Sequence, residues 1–516
     1  MHFPRCFPAD GERQSRPSPA GRVAVIPYAD FTYFGLLLYA AVPTLILGLF
    51  GRAGWRWAVL VTAAMLIVQY YGQLNIRPHF AVREIWIVAG FALWQWATVR
   101  VFAGAGSRAG WPFYAAIAIS LLPLAASKFI PVISPGNQFG FLGISYITFR
   151  ALDVVFCLRD RVIASPEMLD FLMFLFFFPT ISAGPIDRYQ RFAGEWRKRR
   201  TRVEFLTDLD GAVHRIFRGF LYKFILAALI KQYWLERAAS SGHFIALVSY
   251  MYAYSFYLFF DFAGYSAFAI ALSYLFGVHT PENFNRPFLA RNIRDFWNRW
   301  HITLSFWFRD HVYMRFLYAA MRGKWFAHKE AAPIVGYFLA FGLMGLWHGP
   351  EPHYIIYGVY QATLLSAFHI FSRWNKVHRY WRDRLISRAV AIFVTFQFVC
   401  FGLLIFSGRI GAAPLPHHVG NVERVSCYDI YGWVWDKHQP DAAVDVELWD
   451  GEKYLMTFPA NEFRDDLEDA GYGNGRHGFR MLTLPQFKDH RSHVIHFRIA
   501  GTKQELTGSP KVIQCP

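Results

Sequence analysis

The chain has 516 residues, of which 54% are hydrophobic, 19% aromatic and only 17% charged, against ~25% charged in an average soluble protein. About three soluble domains would fit the length, but this composition excludes them and indicates a chain that spends most of its length in lipid. The net charge of +17 divides into +21 on residues 1–420 and −4 on residues 421–516, which hold 11 Lys+Arg against 15 Asp+Glu. The cations cluster in short links between apolar runs, where a membrane protein meets anionic headgroups, and this argues against nucleic acid as a partner.

Residues 1–24 form a polar tail: the first 22 include four Arg and four Pro and lack the apolar core of a signal peptide. Apolar runs then fall at about 31–50, 56–71, 84–101, 112–133, 213–230, 244–260, 262–277, 333–348, 354–371 and 388–407, each near the ~20 residues that cross a bilayer. Pro43, Pro123 and Gly264 interrupt them, which predicts a bundle of broken and tilted helices. Phe139–Phe156, with Ser145, Tyr146, Arg150 and Asp153, and Leu169–Phe178, ended by Pro179, read as re-entrant or interfacial pieces. The basic run Arg197–Arg200 reads as a solvated loop beside headgroups or as a surface for an acidic partner. Asp261 stands between Phe260 and Phe262, where a carboxylate is expected to be paired or functional.

Arg294-Asp-Phe-Trp-Asn-Arg-Trp-His301 interleaves ionisable groups with Trp and Phe between apolar runs, so it is the first place to look for a site. The run 334–347 ends in Trp347-His348-Gly349-Pro350, which predicts a helix stop with an imidazole at its end. An imidazole titrates near neutrality, so it can take a proton from a hydroxyl and pass it to a leaving group. His348 could thus activate an acceptor hydroxyl against an acyl thioester. His301 or Asn298 could orient the donor or stabilise the oxyanion, with Trp297, Trp300, Trp347 and Asp261 as candidate substrate contacts. A structural, hydrogen-bonding histidine is the competing reading. Neither a Gly-x-Ser-x-Gly elbow nor a Gly-rich phosphate loop is nearby.

Residues 411–420 read as a linker, with His417-His418 too few for a metal site, and 421–516 as a small all-β sandwich. Period-two alternation in Ile430–Trp435, Val444–Trp449 and His493–Ile499, closed by Asp and Gly turns, predicts antiparallel strands. Five scattered cysteines (Cys6, Cys157, Cys400, Cys427, Cys515) suggest neither a disulfide framework nor a zinc site.

The paired signatures around His301 and His348 resemble the membrane-bound O-acyltransferase superfamily. Over about residues 25–410 the chain resembles its D-alanyl transfer branch, which serves teichoic-acid D-alanylation. Phe139–Arg150, Ser182-Ala-Gly-Pro-Ile-Asp-Arg188, Leu221–Leu226, Phe259–Ser266, Asn283-Phe-Asn-Arg-Pro-Phe288 and Ser305–Asp310 carry the likeness in order. The resemblance implies an α-helical multipass protein of the bacterial cytoplasmic membrane, about 10–12 helices around a funnel at ~20 residues each, with His348 catalytic and His301 the second functional histidine. No cofactor would be bound; the donor would be a phosphopantetheine-linked acyl thioester on a D-alanyl carrier protein. An outer-face partner protein would take the acyl group onward to a polymer hydroxyl. Val312, Arg315 and Leu317, with Arg322 and Lys324, form the expected carrier-docking helix. The β-sandwich departs from the family plan, and its run 470–479 resembles a module of bacterial glycan-processing enzymes, so a glycan is expected there. O-acetylation of an exported polysaccharide, as in alginate acetylation, is the alternative chemistry, and a transporter or scaffold the alternative class.

Overall fold

The computed structural model describes residues 27–29, 31–52, 54–70, 73–77, 80–105, 108–133, 140–240, 243–410, 418–437, 439–502 and 504–516. The chain divides into two compact units that part at residues 412 and 413.

The first unit is helical. It starts with α1 (Phe31–Leu49), α2 (Trp55–Gln69), the short hairpin β1 (Gln73–Arg77) and β2 (Phe80–Arg83), α3 (Glu84–Gly104) and α4 (Trp111–Ile133). Next come α5 (Ile144–Arg159), α6 (Met168–Phe176), α7 (Tyr189–Ala193) and α8 (Arg202–Phe220). Two π-turns, Leu221–Ala227 and Lys231–Leu235, on either side of α9 (Ala228–Ile230), carry α8 into α10 (Glu236–Ala239). The unit closes with α11 (Phe244–Leu275), α12 (Ile293–Trp297), α13 (Ile302–Phe308), α14 (Met314–Arg322), α15 (Ala331–His348), α16 (Pro352–His378) and α17 (Leu385–Phe406).

Seven helices among the described residues are long and apolar enough to cross a bilayer: α1, α3, α4, α11, α15, α16 and α17. Ten apolar runs shrink to seven spans for three reasons. The runs at 244–260 and 262–277 form one helix of 32 residues. Gly264 does not break it, because α11 packs there so closely on the first π-turn that a Cβ would collide with Lys223 and the Gly219 carbonyl. The run at 56–71 gives a helix of only 15 residues, and the run at 213–230 belongs to α8 and its π-turns, which begin among charged residues behind a Thr201–Glu204 capping box. Nor do Pro43 or Pro123 end their helices.

α5 is buried on every face, with all its residues but Cys157 and Arg159 out of solvent. It is an inner element and not an interfacial helix, and Arg150 explains how. Its guanidinium, 1% exposed, donates to the carbonyls of Phe174 (3.1 Å), Leu175 (3.1 Å) and Thr180 (2.6 Å) and to the Thr180 hydroxyl (2.6 Å). These acceptors lie at the C-terminal end of α6 and in the turn after it, where helix carbonyls lack partners and a cation suits the dipole. The motif at 182–191 serves the same core. Arg188 pairs with Asp153 (2.9 Å) and Asp310 (3.0 Å), Asp153 accepts from the Tyr189 amide and sits 2.8 Å from His311 Nε2, and Arg191 pairs with Asp187.

The second unit is a sandwich of two four-stranded antiparallel sheets. Its strands are β3 (His418–Val425), β4 (Asp429–Asp436), β5 (Val444–Asp450), β6 (Lys453–Ala460), β7 (Glu462–Phe463), β8 (Arg476–Leu482), β9 (Ser492–Ile499) and β10 (Lys511–Gln514). The sheets run β10-β9-β5-β6 and β3-β4-β8-β7. Val422, Ile430, Val434, Val446, Leu448, Phe479, Ile495 and Phe497 fill the space between them, as alternation along the predicted strands requires. β3 begins at His418, inside the stretch read as linker, and the His418 ring lies 3.6 Å from Asp436; His417 is outside the described residues. The cysteine expectation is corrected here. Cys427 and Cys515 form a disulfide across 88 residues, with Cα atoms 5.4 Å apart, because the β3–β4 turn and the chain end after β10 meet at one end of the sandwich. Such a pairing has no local spacing to announce it.

Candidate active site

α12 and α13 are short helices joined by a sharp turn. Asn292 caps α12 by accepting from the Asp295 amide (2.9 Å). Ile293, Phe296, Trp297 and Trp300 are buried at i, i+3, i+4 and i+7, which leaves Asn298 on the exposed face. The turn ends at His301, whose backbone is left-handed (φ 42°, ψ 52°), a conformation costing a non-glycine residue roughly 1–3 kcal/mol and found most often where function demands it. Asn283 holds it in place: its backbone carbonyl accepts from the Ile302 amide (2.9 Å), and its side-chain oxygen accepts from the Thr303 amide (3.3 Å) and hydroxyl (2.9 Å).

The same oxygen sits 3.1 Å from His301 Nδ1, and this fixes the tautomer. A backbone amide can only donate, so the Asn283 atom facing Thr303 is oxygen. His301 Nδ1 must then carry the hydrogen, leaving Nε2 of the neutral ring as an acceptor. That Nε2 is buried without a hydrogen-bond partner, in a residue only 5% exposed.

His348 comes from the other side, as the last residue of α15. α15 and α16 cross at glycines, since a Cβ on Gly345 or Gly358 would run into the Tyr354 or Phe341 carbonyl. Lys128 of α4 donates to the His348 backbone carbonyl (3.0 Å), meeting an acceptor that the helix end leaves open. The His348 ring is half-buried, against Trp347 (4.5 Å between centroids), Phe406 (4.9 Å) and Tyr354 (5.7 Å), and within electrostatic reach of His301 and Lys128. Tyr146 of α5 lies between His301 and the Trp347–His348 pair: its ring stacks on His301 at 6.5 Å and meets Trp347 edge-on at 6.3 Å. Phe262 closes against His301 at 4.8 Å. The result is an aromatic-walled cluster with two imidazoles, suited to moving a proton between a hydroxyl and a leaving group.

The stretch of chain that carries this cluster matches a known family. The model of the membrane-bound O-acyltransferase family matches residues 26–407. The chain belongs to this family. It is a multipass membrane protein and an O-acyltransferase, with a C-terminal β-sandwich beyond the matched region. It is 41% identical over 404 residues to the teichoic acid D-alanyltransferase of Bacillus subtilis, covering 76% of this chain and 99% of that one. The teichoic acid D-alanyltransferase of Lacticaseibacillus rhamnosus is 37% identical over 395 residues, 74% of this chain and 97% of its own. A probable alginate O-acetylase of Pseudomonas aeruginosa is 32% identical over 234 residues, covering 44% of this chain and 42% of its own.

Of the residues singled out from the sequence, His301, His348 and Trp347 come together. Trp297 instead donates to Gln361 (3.2 Å) and packs on Phe341, and Trp300 packs on Phe284, Phe288 and Phe296, one layer behind His301. Exposed Asn298 and Asp261 show no contact with the histidines; Asp261 pairs with Lys223 across α11 and the first π-turn. On the docking side, Val312 and Leu317 are half-buried, and Arg315 bonds Asp160 (3.1 Å) and lies over Phe156 (4.5 Å). The exposed groups are Tyr318, Met321 and Trp325, with Arg322 and Lys324 between and beside them. Tyr146 and Asn283 lie in the resembling stretches, where the sequence alone assigns them no role. The signal for each was a hydrogen-bonding group placed inside an apolar motif.

Proposed function

We propose that this acyltransferase moves D-alanine from a carrier-protein thioester to a hydroxyl of a cell-envelope polymer, through His348. The observation that carries the reading is the meeting of His301 and His348 across Tyr146 and Trp347; the D-alanyl group is taken from relatives matched over 97–99% of their length. His348 takes the hydroxyl proton as the oxygen attacks the thioester carbon. The C–S bond then breaks, and the imidazolium returns the proton to the departing sulfur, leaving an oxygen ester and a free thiol. Mass spectrometry of polymer modified by the purified protein tests the acyl group. An alanyl ester supports the reading, whereas an acetyl ester, as the likeness to the alginate acetylase would have it, overturns the D-alanyl part.

The donor arrives from the cytosol and the acceptor from outside. The Cys427–Cys515 disulfide supports an oxidising compartment for the β-sandwich, so the C-terminal end of α17 faces outward. Successive spans alternate, which puts the His348 end of α15 outward too, and the α14 segment and the α16–α17 link inward. Charge agrees independently: residues 373–388 carry six Lys+Arg and 314–330 carry four, while 349–353 carry none. In intact cells of the bacterial cytoplasmic membrane, a cysteine introduced at Tyr380 should resist an impermeant maleimide until permeabilisation, and labelling beforehand would reverse the orientation.

The acidic carrier docks on the exposed apolar and cationic groups of 318–325, beside half-buried Val312, Arg315 and Leu317. Met321→Asp with Trp325→Ala is expected to raise KM for the carrier at least tenfold with kcat at saturation unchanged; steady-state kinetics with acylated carrier decide. The β-sandwich receives the glycan or the outer partner, consistent with half-buried Tyr472 lying against half-buried Trp435 (5.3 Å) and over buried Trp433 (4.8 Å). Its removal should weaken acceptor use and spare thioester discharge.

A further inference from the structure

Three polar side-chain atoms around the Tyr146 ring are buried without partners: Tyr146 Oη, Trp347 Nε1 and His301 Nε2; of these residues Trp347 packs on the His348 ring. Their residues are 0%, 7% and 5% exposed, and the Tyr146 ring lies between the other two, with centroids 6.5 Å from His301 and 6.3 Å from Trp347. Orphaned buried polar atoms are uncommon in a folded protein, and several together ask for an absent partner. Their polarities differ in a useful way. The indole N–H only donates and the phenol can donate, while the Asn283 contact leaves His301 Nε2 as an acceptor.

We infer that Tyr146 Oη–H and Trp347 Nε1–H are the donors that hold the thioester carbonyl oxygen as it becomes an oxyanion, an inference that rests on the acyl-transfer reading above. His301 cannot serve there, because its free nitrogen offers a lone pair to the same negative charge. That lone pair instead accepts a hydrogen bond from the ammonium of the acyl group, since the one hydroxyl proton goes to His348. Attack of the hydroxyl oxygen on the thioester carbon moves the carbonyl π electrons onto oxygen, where the phenol and the indole meet them. Collapse returns the electrons, the C–S bond breaks, and the two donors are left as they began.

Tyr146→Phe removes one donor and keeps the ring that stacks on His301. Single-turnover transfer from acylated carrier by the purified full-length variant is expected to slow by roughly 10²-fold, the usual consequence of losing one oxyanion donor. KM for the carrier should stay put, and the melting temperature should hold or rise, since the hydroxyl has no partner in the resting protein. Replacing Tyr146 with 3-fluorotyrosine, which restores a phenol, should recover the rate. Trp347→Phe should repeat the rate loss. A Tyr146→Phe rate within threefold of wild type overturns the assignment, and so does a clear fall in its melting temperature, which would mean the hydroxyl is already bonded. His348→Ala separates the two layers. If it is inactive while Tyr146→Phe is not, the oxyanion site lies elsewhere and acyl transfer stands; if both are active, the acyl-transfer mechanism itself falls.

Discussion

His348→Ala is expected to abolish measurable acyl transfer, a loss of about 10²–10⁴-fold for a general base and acid, with carrier affinity and fold unchanged. The fold should survive because the ring is not what anchors the helix end. Lys128 bonds the backbone carbonyl of His348, and the α15–α16 crossing depends on Gly345 and Gly358; both persist when the imidazole is gone. What is lost is packing of a half-buried ring against Trp347, Tyr354 and Phe406, about 1–2 kcal/mol at the scale of a partly buried side chain. Carrier pull-down and a melting curve on the same preparation check those two points, and ester formation on an acceptor checks the rate. Wild-type turnover by this variant would remove His348 from the chemistry. His348→Gln, which keeps a polar side chain but has no titratable nitrogen, should be as inactive as the alanine variant.

How much of this could be read in the sequence depends on how far apart the partners lie. The end of α15 at His348 was legible, because an apolar run stopped by Gly349-Pro350 has few other outcomes. So were β4, β5 and β9, where alternation and turn residues coincide within eight positions. Asn298 was legible as an outward residue too: burial at 293, 296, 297 and 300 sets the helix phase, and residue type alone drew attention to it instead. Asp261 and Lys223 are 38 residues apart, Tyr146 precedes Trp347 by some two hundred, and Cys427 pairs with Cys515 across 88. Nothing periodic links such positions, so only the folded arrangement brings them together. The π-turns at 221–227, 231–235 and 309–313 also escaped, since a π-turn continues the helix with no cap or breaker residue to mark it.

Arg150→Met is expected to be the most damaging single change to stability. Methionine can fill much of the volume, so a cavity is not the difficulty. The side chain makes four hydrogen bonds to Phe174, Leu175 and Thr180, and its removal strands three backbone carbonyls inside the unit, away from water. Each orphaned acceptor costs roughly 1–3 kcal/mol, so the total exceeds about 3 kcal/mol even if relaxation recovers part of it. Arg150→Lys should rescue only partly: a single ammonium has three donors on one nitrogen and cannot reach the α6 end and the Thr180 turn as a planar fork does. The damage should also reach the site, because α5 carries both Arg150 and, one turn earlier, Tyr146. Thr180→Val, which deletes one hydroxyl acceptor and no carbonyl, is the mild control, expected to cost near 1 kcal/mol. Melting temperature and yield of monodisperse protein in detergent rank the three variants. An Arg150→Met protein as stable as the Thr180→Val control would show that the α6 end is held by something other than this guanidinium.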